Sequence, residues 1–431
     1  MKNQILLVIL TLGLAFTSYA QSKNIEILLD ESPDIIYSKL KTTDNYESTY
    51  QLKIKQPLDH FDLSKGFFYQ KVFLNHKGFD NPTVIITEGY NLWQNRIYEL
   101  TELLNANQID IEHRFFGESM PDSLNYRYLN LKQATADLHH IKELFSNIYN
   151  GKWLSTGISK GGATTIFYRY FYPNDVDVSV PYVAPINNDF EDKRIYTFLD
   201  TIGTDECREK IKSFQILVLK NRDKILPLVK QYSLEYNYTY SYLSLAEAFE
   251  YAVMEYPFAF WQYGQSCDNI PNQTASIEDI SKYFITASDI SLFSDELIRA
   301  YASHYYQSAT EMGYYGYETS EFKDLIIELP KDHNPHATFF PFKMNDKFDG
   351  KLLDDVNQWL LTNGNRFIYI YGGTDTWTAS GVPINDKVDS EWFILKGKHH
   401  GTARIRNMND SEKERLIETL EKWLSLKIEE Q

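Results

Sequence analysis

Cysteine is nearly absent from the sequence. Cys207 and Cys267 are the two in 431 residues, which excludes a disulfide-built scaffold and a cysteine-based zinc site. One bond between them is open in an oxidising compartment if their geometry permits it. Clusters of Lys or Arg are also missing, and 43 basic residues stand against 59 acidic ones, a formal net charge of −16. A surface of that sign repels phosphate backbones, so nucleic acid is not an expected partner. Beyond residue 20 no apolar run approaches the ~20 residues that cross a bilayer. His139 and His140 are adjacent and so diverge at helical pitch, making a poor metal pair. With 43% hydrophobic and 15% aromatic residues, the chain has a globular rather than a disordered or collagen-like composition.

What is present begins with an address. Lys2 gives a positive start, and Ile5 to Phe16 is apolar apart from Thr11 and Gly13. Ser18 and Ala20 are small residues before a cut after Ala20, the pattern of a secretory signal peptide over residues 1–20. Gln21 follows where a lipoprotein would have cysteine. The expectation is a secreted or periplasmic protein with no transmembrane segment once the signal is removed.

From residue 50 to about 185, short apolar strands alternate with helical periodicity. Val84-Ile85-Ile86, Ile109-Asp110-Ile111, Trp153 to Thr156 and Val178 to Val183 read as strands. Ala134, Leu138, Ile141, Phe145 and Ile148 mark one face of a helix. Such alternation predicts a parallel sheet covered by helices. The pattern stops near Pro185 and resumes near Arg366 with two more strands, Phe367 to Tyr371 and Trp392 to Leu395. A last helix carries Leu416, Leu420, Trp423 and Leu424 on one side, with Asn409, Asp410 and Ser411 as candidate caps. The intervening residues are rich in tyrosine and helical in period, and include the run Glu255 to Tyr263 (EYPFAFWQY). The economical organisation is one α/β core, 21–185 and 361–431, interrupted by a helical cap over 186–360.

Gly157-Ile158-Ser159-Lys160-Gly161 is G-x-S-x-G between a predicted strand and a predicted helix. That context suits a nucleophile on a tight strand-to-helix turn, with the Lys160 backbone N–H aimed at an oxyanion. A serine hydroxyl needs a base and an acid to orient that base. Asp375 lies just after the strand ending at Tyr371, and His399-His400 just after the next strand. The order Ser, acid, His resembles that of α/β-hydrolases, and either histidine serves as the base on this pattern. The second oxyanion donor is expected from the loop after Val84–Ile86, at Gly89 or Tyr90. This chemistry requires neither metal nor cofactor.

Further segments resemble a known family, the secreted prolyl tri- and tetrapeptidyl aminopeptidases. Gln56-Pro57-Leu58-Asp59-His60 is similar to Q-P-V-D-H, Thr87 to Asn91 to T-G-G-Y-N, and Glu112 to Phe116 to E-[YH]-R-F-F. Trp153 to Gly162 (WLSTGISKGG) matches the family's serine segment, and Gly203 to Cys207, Phe260 to Tyr263 and Cys267 to Pro271 resemble segments of its cap. A more distant likeness is to lysosomal Pro-X carboxypeptidase. The resemblance implies an α/β-hydrolase core and a serine exopeptidase. Such an enzyme releases tripeptides or tetrapeptides from the free N-termini of short peptides or unfolded proteins, with proline favoured before the cut. It implies Ser159 as nucleophile and Asp375 as acid. The family's G-x-N-H-G selects His400 as base, whereas the carboxypeptidases' G-A-H-H selects His399; His400 is preferred. Glu88 and Thr376 depart from the family's usual Gly and Pro, which bears on proline preference and peptide length. The substrate's α-ammonium requires a carboxylate, for which Glu88 and Glu112 are the candidates. A secreted esterase or lipase on the same core, and an inactive peptide-binding protein, are the competing readings.

Overall fold

A computed structural model describes residues 24–42, 45–329 and 339–428. The signal-like segment and the cut after Ala20 lie outside the described residues. Nine strands form one sheet: β1 (Ile35–Leu40), β2 (Ser48–Pro57), β3 (Phe67–His76), β4 (Thr83–Thr87), β5 (Asn107–Ile111), β6 (Trp153–Ile158), β7 (Val178–Tyr182), β8 (Ile368–Gly372) and β9 (Glu391–Leu395). Their order is β1-β2-β3-β5-β4-β6-β7-β8-β9. β1, β2 and β3 pair antiparallel, β3 meets β5 antiparallel, and β5 through β9 run parallel. Together with its covering helices, this topology is an α/β-hydrolase fold.

β4 and β8 are buried along their whole length, which is why Val84-Ile85-Ile86 and Ile368 to Tyr371 read as apolar runs. Val84 and Ile86 face a layer containing Leu416, Leu420 and Trp423 of the last helix, Asp410–Leu424. Ile85, between them, faces Leu138, Ile141 and Phe145 of the helix Leu131–Ser146. After β4 the chain moves outward to β5 and then returns past β4 to β6. Ligand crevices form where strand order reverses in this way, at the carboxyl ends of the strands. The loops after β4 and β6 meet at that point.

Between β7 and β8 the chain builds the cap around the long helix Leu245–Gln262 and the helices Asp205–Lys220, Arg222–Glu235 and Ile277–Ala287. Cys207 and Cys267 are joined, with Cα atoms 5.5 Å apart. One boundary needs correcting. The helix Lys351–Asn363 packs Leu353, Val356 and Leu360 against Ala163, Phe167, Phe367 and Tyr369, so it covers the sheet and the core resumes ahead of residue 361. Among the described residues no helix is long and apolar enough to cross a membrane.

The motifs at 56–60 and 112–116 have a structural explanation. Fully buried Arg114 donates through Nε and Nη2 to both oxygens of buried Asp137, each at 2.7 Å. Its remaining N–H groups bond the carbonyls of Pro57, Leu58 and Tyr128. His60 Nε2 also meets Asp137, at 2.7 Å. The clamp fastens the ends of β2 and β5 to the helix Leu131–Ser146. Burial alone would raise the Asp137 carboxyl, but the charge and hydrogen bonds of Arg114, joined by His60, hold it below the usual carboxylate range. Arg114→Met leaves that carboxylate buried without its main partner and should cost about 3–5 kcal/mol by urea unfolding at pH 7. Because the Asp137 carboxyl is depressed in the folded state, the loss should shrink as pH falls through that depressed pKa.

Candidate active site

The turn after β6 forces a serine into a backbone region that L-residues avoid. Ser159 has φ 60° and ψ −125°, a conformation that costs on the order of 1–3 kcal/mol. Its surroundings hold it there. The Ser159 N–H donates to the Tyr182 carbonyl at 2.9 Å, and its carbonyl accepts from Ala163 at 2.9 Å. A Cβ at Gly157 would stand 2.4 Å from the Gly161 carbonyl carbon, and one at Gly161 would stand 2.5 Å from the Thr87 carbonyl oxygen. Only glycine permits this approach of β4, β6 and the helix Lys160–Phe171. The Thr87 hydroxyl seals the contact with bonds to the Gly161 and Thr156 carbonyls, at 2.8 and 3.2 Å.

Asp375 is fully buried at the end of the turn after β8, where Oδ1 accepts from the Trp377 N–H at 3.2 Å. Its Oδ2 lies 2.7 Å from His400 Nδ1. With Nδ1 donating to the carboxylate, Nε2 is left as the acceptor. His399, one residue earlier, takes a different direction. Its Nδ1 accepts from the Gly401 N–H at 3.3 Å, and its ring lies against Gly264 of the cap. The His400 N–H donates to the carbonyl of Gln262 at 3.2 Å, tying this loop to the cap as well.

Ser159 and His400 line one partly open cavity of about 270 Å³ together with cap residues including Glu255, Tyr263, Tyr301 and Tyr305. No hydrogen bond joins Ser159 to His400 among the described residues. Such catalytic contacts often tighten only in the substrate complex. Tyr90 and Trp377 line the same space from the core side. The backbone N–H groups of Gly89, Tyr90 and Lys160 donate no hydrogen bond among the described residues.

A family model described as PS-10 peptidase S37 matches residues 26–427. The chain belongs to that family. It is a serine peptidase. A prolyl tri/tetrapeptidyl aminopeptidase from Streptomyces mobaraensis is 30% identical over 377 residues, covering 86% of this chain and 78% of that protein. Lysosomal Pro-X carboxypeptidase of Bos taurus is 26% identical over 154 residues, 31% of each chain. Among solved structures, proline iminopeptidase from Mycobacterium smegmatis aligns with 86% of this chain and 97% of its own, at 12% identity and a TM-score of 0.41.

Neither carboxylate expected to meet a substrate amine lies in the peptidase's cavity. Glu112 accepts from the backbone of Leu92 and Ser119 and from the Ser119 hydroxyl, at 2.7–2.9 Å. It braces the turn after β5. Glu88 is bound by Arg96 and by the Tyr98 hydroxyl on the core surface. The carboxylate that does line the cavity is Glu255. Its one signal in the sequence was a lone charge opening an aromatic run. Thr376, where the family often has proline, donates its hydroxyl to the Phe258 carbonyl at 3.0 Å and so fastens the cap helix Leu245–Gln262.

The Lys160 side chain is buried beneath the loop after β4. Its Nζ donates to the Gly89 carbonyl at 2.7 Å and sits over the rings of Phe116 and Tyr90, at 5.2 and 5.5 Å. It therefore fixes the peptide plane that carries the Tyr90 N–H. Burial pulls the ammonium down to about 7, against the opposing pull of the Glu311 carboxyl. Burial raises Glu311 to about 8. From about pH 7 to about pH 10 the unfolded chain holds a lysine proton that the folded chain has lost, so this group adds stability as pH rises. Relative to Lys160→Met, the wild type should gain up to about 1.4 kcal/mol per pH unit across that window. A stability difference that stays flat between pH 7 and pH 9 in urea unfolding would contradict the assignment.

Proposed function

We propose that this serine peptidase acts as an exopeptidase at free peptide N-termini, releasing tripeptides or tetrapeptides, with proline favoured before the cut. The observation that carries the reading is the strained Ser159 turn opening into the same cavity as an imidazole paired to a buried carboxylate. Ser159 Oγ attacks the scissile carbonyl while His400 Nε2 takes its proton. Asp375 holds the imidazole tautomer and stabilises the imidazolium that forms. The N–H groups of Lys160 and of Gly89 or Tyr90 receive the oxyanion, worth several kcal/mol in the transition state. His400 then protonates the leaving amine, and water attacks the acyl enzyme by the same proton route.

The cap supports action at chain ends, because a cavity of about 270 Å³ walled partly by cap residues suits a short extended segment better than a folded surface. The name of the Streptomyces relative supports the peptide length and the proline preference. A pyrrolidine ring suits aromatic walls such as Trp377 and Tyr263, which present large apolar faces. Export, with the signal cut after Ala20, is part of the reading, and the Cys207–Cys267 bond agrees with an oxidising compartment.

Mass analysis of products from matched free and N-acetylated peptides tests this directly. Tripeptides or tetrapeptides should come from the free set alone, and internal cuts in the blocked set would overturn the reading. In the same assay His400→Ala should lower kcat by at least about 10⁴-fold, by analogy with other serine triads. His399→Ala should stay within about tenfold of wild type, since a group outside the proton route loses far less than a triad member.

A further inference from the structure

Glu255 is a carboxylate in a place that disfavours charge. It sits on the cap helix Leu245–Gln262, 4% exposed, between turns whose other residues are nearly all apolar. Both of its oxygens accept from the Tyr315 hydroxyl, at 2.9 and 2.8 Å, and one also accepts from Tyr317 at 2.7 Å. Two phenols thus aim a carboxylate that lines the cavity of Ser159 and His400. No lysine, arginine or histidine is paired with it among the described residues. Other buried acids of the protein are answered by a guanidinium, as Asp137 is by Arg114 and Glu250 by Arg222.

An acid buried without a cation is costly unless it is protonated or a ligand supplies the charge. Burial raises the Glu255 carboxyl to about 7, with the two phenol hydrogen bonds opposing it, so near neutral pH a bound cation would tip it fully to the carboxylate. The walls beside it suit a cation too. Tyr263, Tyr301 and Tyr305 line the same cavity, and aromatic rings attract ammonium groups at their faces. A peptide lying with its scissile carbonyl at Ser159 and its other end deeper in the cap carries one such group at its N-terminus.

We propose that Glu255, oriented by Tyr315 and Tyr317, binds the α-ammonium group of the substrate and thereby sets how many residues fit between the N-terminus and Ser159. The assignment rests on the reading of the protein as an exopeptidase at free N-termini. Blocking the amine removes the charge that this carboxylate needs. Adding residues pushes the ammonium past it into aromatic packing.

The test is the ratio of kcat/KM for a free-amine tripeptidyl substrate to that for its des-amino analogue, in wild type and in Glu255→Gln, with thermal unfolding to verify the fold. The wild-type ratio should reach about 100 or more, as expected when one partner of a desolvated charge pair is lost. In Glu255→Gln it should fall to near one, mainly through KM. If that variant does not fold, Glu255→Asp, which withdraws the charge by one methylene, should lower the ratio at least tenfold. A folded variant that keeps the wild-type ratio overturns the role of Glu255 and leaves the exopeptidase reading intact. A wild type that cleaves both substrates equally overturns both.

Discussion

The site depends on three backbone segments coming closer than side chains allow. Gly157 and Gly161 let β6 and its following helix press against the Thr87 carbonyl at the end of β4. Ser159, midway between them, is driven to positive φ. The strain is absorbed by bonds on every side: Tyr182 and Ala163 hold the Ser159 backbone, and the Thr87 hydroxyl holds Gly161. The same closeness brings the loop after β4 over the first turn of the helix. Lys160 can then reach back to the Gly89 carbonyl. The Ser159 turn and the Gly89–Tyr90 loop are thereby brought side by side at one end of the sheet.

The cap is fastened to the loops that carry the other two groups. Gln262 accepts from the His400 backbone, Phe258 accepts from the Thr376 hydroxyl, and Gly264 leaves room for the ring of His399. All three lie at or just beyond the C-terminal end of the helix that also bears Glu255, and the Cys207–Cys267 bond staples the chain just after it. Placement of the cap and orientation of the imidazole are therefore mechanically linked. A cap that shifted would disturb His400 as well as the wall that the cap gives the cavity.

Legibility in the sequence followed the range of the forces involved. The central strands announced themselves because burial on both faces favours apolar, β-branched runs such as Val84-Ile85-Ile86. The turn at Ser159 was readable because its steric demand falls within five residues. The first three strands were not read, since β1 is an edge with only Ile35 buried and β2 and β3 carry buried polar residues such as Gln56, Gln70 and Asn75. Which of the two adjacent histidines meets Asp375 depends on how the loop leaves β9, and spacing alone does not encode that direction. Glu88 and Glu112 lay near strand ends in the sequence, yet local partners (Arg96 and Tyr98 for one, Ser119 for the other) turn them away from the cavity. Glu255 was hidden for the opposite reason, because the tyrosines that aim it lie about sixty residues further along the chain.

The account turns on one proposed geometry, a Ser159 oxygen in the cavity it shares with His400, met there by backbone donors of Lys160 and the Gly89–Tyr90 loop. A crystal structure with a free-amine tripeptidyl boronate, which mimics the tetrahedral intermediate, tests that geometry most directly. The account predicts boron bonded to Ser159 Oγ, with one boronate oxygen about 2.7–3.1 Å from the Lys160 N–H and from a donor in the Gly89–Tyr90 loop. Boron attached to any other residue, or its oxygens turned to solvent away from those donors, would contradict it.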